Sequence, residues 1–153
     1  MAKIVPSRLA AEIDDGAVVF LIGMRVNRFW QVHRWLPVAM AMPSMLRELA
    51  RDPALGLLGY QMWVGPRGPM LVQYWRSQEH LNRFARDPAL THRPAWLKFY
   101  RQVGLSGKVG IWHEMYPIAS YESTYVNMPR FGLAAAGRAV AQGSSSAQSS
   151  SGT

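Results

Sequence analysis

Along the chain, β-branched apolar runs alternate with segments whose apolar positions recur at helical spacing. Val18–Val26 is continuously apolar apart from Arg25 and predicts a strand. Leu57–Val64 (LLGYQMWV) and Met70–Trp75 (MLVQYW) flank GPRGP, whose turn-forming residues predict a hairpin. Ser77 is placed to cap a helix over SQEHLNRFAR, and a further helix is expected over Pro94–Val103, ending at Gly104. Gly110–Tyr116 (GIWHEMY) predicts a closing strand, and Tyr121–Asn127 (YESTYVN) a further one.

An internal echo runs through this pattern. Leu46–Leu55 reads LRELARDPAL, and Leu81–Leu90 reads LNRFARDPAL. Both end a helical stretch at Asp-Pro, because proline lacks the amide hydrogen and disfavours helix in the residue before it. The order β-α-β-β-α-α-β that results is a split βαβ with one inserted helix. It predicts an α+β, ferredoxin-like subunit with an antiparallel sheet and helices on one face. The bare face needs a cover, and a second copy of the same sheet is the simplest one, so a homodimer is expected.

Around this unit, residues 1–16 have weak periodicity and are expected to form an N-terminal arm, with the folded domain over 17–136. Residues 137–153 end in QGSSSAQSSSGT, small and polar, and are expected to be a disordered tail. No apolar run approaches the roughly 20 residues that span a bilayer, and no signal-peptide pattern opens the chain. A cytoplasmic protein without membrane partners is therefore expected. The absence of cysteine excludes disulfides, thiolate metal sites and cysteine nucleophiles. Seventeen Lys and Arg against nine Asp and Glu leave a formal charge of +8, which permits an anionic ligand. The arginines are scattered and no nucleic-acid motif is visible, so nucleic acid is not an expected partner.

Four histidines and a few polar residues on strands carry the candidate chemistry. Thr91-His92-Arg93-Pro94 puts His92 at a helix start, where the helix dipole favours a neutral imidazole able to bind iron or accept a proton. His113 and Glu114 are neighbours on one strand, so they face opposite sides of the sheet. Either His113 or Glu114 is then the inward residue. His33 and His80 sit near charged neighbours and are expected to face solvent. Nothing matches a zinc, P-loop, dinucleotide or serine-hydrolase motif. Nine Met and six Trp suit a large hydrophobic ligand, and suit core packing equally well.

The segments VFLIGMRVNRFW, LVQYWRSQEHLNRFARDPALTHRPAW, VGIWHEMY and YESTYVNMPRFGL resemble a bacterial and fungal family known as domain of unknown function family 4188. The resemblance covers about Val18 to Leu133. It implies a branch of the dimeric α+β barrel superfamily, alongside antibiotic-biosynthesis monooxygenases, with fungal members implicated in polyketide oxygenation. A monooxygenase-like enzyme acting on a hydrophobic, phenolic or polyketide-like small molecule is thus expected. In the cofactor-free form, His92 or His113 would take a substrate proton, with Asn27 and Arg25 stabilising the oxyanion.

The alternative form is a haem protein of the same fold, aldoxime dehydratase-like or a haem-dependent oxygenase. The stretch from Trp75 to His92 is similar to the one that carries the proximal histidine in haem-degrading members, which implies His92, or secondarily His113, as iron ligand. Asn27 stands where those members have a distal asparagine, but Asn82 stands where they have a distal tryptophan. A non-catalytic small-ligand binding module is the third class.

Overall fold

The computed structural model describes residues 2–90, 92–102 and 104–142. In chain order the elements are β1 (Val5–Glu12), β2 (Val18–Val26), α1 (Val32–Arg51), a 3-10 turn (Pro53–Leu55), β3 (Leu57–Gly65), β4 (Gly68–Trp75), α2 (Gln78–Arg86), α3 (His92–Gln102), β5 (Val109–Pro117), β6 (Tyr125–Met128), α4 (Leu133–Ala136) and β7 (Arg138–Ala141). They form two units, one over Asp15–Ala119 and one drawn from the described residues on either side of it.

The larger unit holds a four-stranded sheet in the order β3-β4-β2-β5, with every pairing antiparallel. Strand alternation assigns its two faces. Val18, Phe20, Met24 and Val26 of β2 face the helices. Val18 and Phe20 pack with Leu49 of α1, Trp75, and Leu81 and Phe84 of α2. Met24, Val26 and Val109 pack with Trp35, Val38 and Ala39 of α1 and Phe99 of α3. Strand order and one-sided helices make this a ferredoxin-like α+β fold.

Both copies of the sequence echo stop a helix by the same device. Helix α1 ends at Arg51, and the Asp52 carboxylate accepts the Ala54 amide at 2.9 Å. Helix α2 ends at Arg86, and the Asp87 carboxylate accepts the Ala89 amide at 2.9 Å. Each aspartate satisfies a backbone donor that proline prevents the helix from using. At the other end of α2, Ser77 Oγ accepts the His80 amide at 3.3 Å, the expected N-cap.

Gly68 occupies φ +142° in the β3–β4 turn, and a Cβ there would run into the Met24 carbonyl. Only glycine lets the turn lie this close to β2.

The ends of the chain correct the sequence reading. Residues 1–16 are not merely an arm, because β1 lies at the centre of a three-stranded sheet, β6-β1-β7. Leu9 and Ala11 are buried there, and the Ala11 amide bonds Ser123 Oγ at 2.8 Å. The expected tail contains β7, whose Arg138 lies 3.6 Å from Glu12 and 3.4 Å from Asp14. Residues 143–153 lie outside the described residues. Among the described residues, no helix is long and apolar enough to cross a membrane.

Candidate functional site

Helix α1 carries two prolines in its interior, Pro37 and Pro43. Each lacks the amide that would bond the carbonyl four residues earlier, so neither turn has its full hydrogen bonding. The segment they bracket, with α3 and the helix-facing side of the sheet, encloses a cavity of about 580 Å³. Its floor is Ile22, Met24, Leu71 and Ile111 of the sheet, and Pro94, Lys98 and Phe99 of α3 form another wall. Six of the nine methionines converge on it: Met24, Met40, Met42, Met45, Met62 and Met70. Unbranched, polarisable thioethers fit ligands of varied shape without a fixed polar demand.

The sequence candidates separate across the sheet. His113 lies opposite Ile22 in the β2–β5 register, on the helix-facing side. Its ring centroid is 5.6 Å from that of Phe20, and the side chain is exposed beside the cavity floor. The inward residue is therefore His113, together with Ile111 and Met115, and Glu114 points to the other face. Helix α3 starts at His92, two residues before the expected start at Pro94, and the side chain of His92 lies outside the described residues.

Arg25 and Asn27 need correcting as oxyanion groups for this cavity. Arg25 alternates with Met24 and Val26, so it points away from the helices. Its Nε donates to Asn27 Oδ1 at 3.1 Å, and Asn27 Nδ2 donates to the Gly107 carbonyl at 3.0 Å. Asn27 is thus committed to shaping the loop before β5. On that same outer face, the Tyr116 hydroxyl donates to Glu114 Oε2 at 2.7 Å. This hydrogen bond, and then the repulsion between carboxylate and phenolate, raise the Tyr116 pKa above its ordinary 10.0.

His80 also departs from expectation. Its Nδ1 lies 2.7 Å from Ser77 Oγ, and a Cβ on Gly56 would come within 2.6 Å of its ring. Gly56, at φ +93°, gives the ring its seat, so His80 is a packing residue rather than a solvent-facing one. His33 is exposed, as expected. Among the described residues, no group of three or more His, Asp or Glu could hold a metal ion.

Lys98 is the residue that motif reading passed over. Its one signal is a lysine one turn after Pro94 in a chain whose basic residues are otherwise nearly all arginine.

Residues 17–133 match the model of the monooxygenase af470-like family. The chain belongs to that family. No curated protein matches it. The chain shares its fold with solved structures of low sequence identity. An aldoxime dehydratase, OxdRE, in complex with butyraldoxime is similar at 20% identity and a TM-score of 0.63. That match covers 90% of this chain and 42% of the dehydratase. A variant of SnoaB, a cofactor-independent oxygenase from Streptomyces nogalater, is similar at 11% identity and a TM-score of 0.50, over 69% of this chain and 96% of that one. A dimeric ferredoxin-like protein of unknown function from Bacteroides fragilis NCTC 9343 is similar at 14% identity and a TM-score of 0.50, covering 69% of this chain and all of its own.

Proposed function

We propose that the chain is a monooxygenase-like enzyme that takes a hydrophobic small molecule, phenolic or polyketide-like, into the methionine-lined cavity. The observation that carries this reading is the cavity itself, about 580 Å³ with an almost wholly apolar wall, in a member of a monooxygenase-like family. The likeness to domain of unknown function family 4188 supports the same reading.

In the cofactor-free course, a basic side chain next to the cavity, though not among its lining residues, removes a proton from an acidic methylene of the substrate. The electron-rich anion then reacts with dioxygen. One oxygen atom becomes the product carbonyl, the other leaves as water, and the methylene carbon is the centre oxidised. His113 is our choice of base among the described side chains, because it stands beside Ile22 and Ile111 with an exposed ring. His92 is the other choice, at the start of the helix that supplies one wall.

The haem form needs an axial nitrogen aimed into the cavity. No histidine lines the cavity among the described side chains, so those side chains do not fit a haem. That form would rest on His92 alone.

We also propose that two copies pair through the outer face of the four-stranded sheet, a reading supported by the similar Bacteroides fragilis protein being dimeric. Arg25, Glu114 and Tyr116 would then belong to an interface and not to catalysis.

Oxygen uptake with a hydroxylated anthrone, whose methylene is flanked by aromatic rings, tests the catalytic reading. Uptake should scale with protein, and His113→Ala should slow it by about 10²–10⁴-fold if that ring is the base. Undiminished turnover in both His113→Ala and His92→Ala would remove the histidines from the mechanism. A Soret band after adding haemin, lost in His92→Ala, would instead favour the haem form.

A further inference from the structure

The cavity wall is short of hydrogen-bonding groups, and that shortage selects the ligand. Among its described residues, only Ser44 and Lys98 have side chains that can donate a hydrogen bond. Ser44 Oγ already donates to the Ala41 carbonyl at 2.8 Å. Lys98 forms no ion pair among the described residues. No Asp or Glu lies among the described lining residues, and α3, which carries Lys98, has no acidic residue at all. An anion approaching Lys98 therefore meets a cation and no opposing carboxylate. A neutral polar group could accept a hydrogen bond from Lys98 but would gain no charge pairing there.

We propose that Lys98 holds the acidic group of the ligand, so that the cavity selects apolar molecules bearing one anionic group. A carboxylate, a sulfonate or an ionised enol or phenol shares this chemistry. The proposal deepens the reading of the cavity as a substrate site and rests on it. Lys98 is exposed, so its ammonium stands at the rim while its alkyl stem can lie along apolar surface. An anion at the rim keeps part of its hydration, which one drawn into the hydrocarbon interior would lose. The ligand is thereby oriented with its acidic end at α3 and its apolar body between α1 and β2–β4. For an oxygenase, the same placement holds the enolate or phenolate that reacts with dioxygen.

The test compares two fluorescent probes with nearly the same skeleton, anilinonaphthalene sulfonate and its uncharged parent N-phenylnaphthylamine. Ala41→Trp and Met42→Trp, which fill the cavity in two different ways, establish where the probes sit. Lys98→Met should weaken the sulfonate roughly tenfold, as loss of a charge-assisted contact predicts, and change the uncharged probe by less than about twofold. Lys98→Arg should restore most of the sulfonate affinity, and added salt should erode it. Equal weakening of both probes, or an unchanged sulfonate affinity in Lys98→Met, would overturn the role of Lys98 while leaving the cavity reading intact. If neither probe binds, or neither filling variant affects the uncharged probe, the cavity reading itself fails, and the anion proposal with it.

Discussion

Two contacts made by single side chains have measurable consequences. Trp75 is 1% exposed, and its indole nitrogen donates to Gln73 Oε1 at 2.9 Å, both groups buried on the helix-facing side. Gln73→Leu would leave that N–H without a partner in a dry site. It should lower the unfolding free energy by about 1–3 kcal/mol in urea titration. A second contact responds to pH. Tyr116 keeps its proton to a higher pH in the folded chain than in the unfolded one, because its hydroxyl donates to Glu114. The hydrogen bond thus contributes fully below pH 10.0 and is lost as pH rises through the raised folded value. In Glu114→Gln, one tyrosinate transition in the ultraviolet titration should move back down, and no other should follow it.

Each helix answers to a different local rule. Helix α2 is an ordinary capped helix, with Ser77 at its start and Glu79 and Arg83 paired at 3.2 Å along its exposed side. Helix α1 breaks the rule against interior proline twice, in the stretch that lines the cavity. Such violations persist where shape at a site outweighs stability. Pro43→Ala would restore an amide to the turn below Ala39. It should raise the unfolding free energy by roughly 1–3 kcal/mol, read by thermal or urea denaturation. Because the Pro43 ring is itself part of the cavity wall, affinity for an uncharged apolar probe should change in the same variant. A stability gain with unaltered probe binding would show that the prolines do not shape the cavity.

For the molecule as a whole, the outer face of the larger sheet is the feature to explain. Leu21, Val72 and Tyr74 are half-buried there, and Trp63 and Tyr116 are each 52% exposed. Light scattering should give twice the 17.2 kDa chain mass. Leu21→Glu, a charge in the middle of that face, should yield monomers that keep their helical circular dichroism. A wild-type monomer at micromolar concentration would refute the pairing.

The sequence by itself determined the four strands of the larger sheet, the Ser77-capped helix α2 and both Asp-Pro stops, since these depend on neighbours within a few residues. It also restricted His113 and Glu114 to opposite faces, because strand alternation is local. Tertiary structure decided which face was which, because only cross-strand register and helix packing distinguish the inside of a sheet from the outside. That decision moved Arg25 and Asn27 away from His113. The small terminal sheet was illegible for a related reason. Its strands are short, and Ala11 and Ser123 meet across 112 residues of chain, a separation that no local pattern encodes. The cavity was hidden in the same way: its methionines come from a helix and three strands, and Lys98 gains its meaning from an apolar wall that only the folded chain assembles.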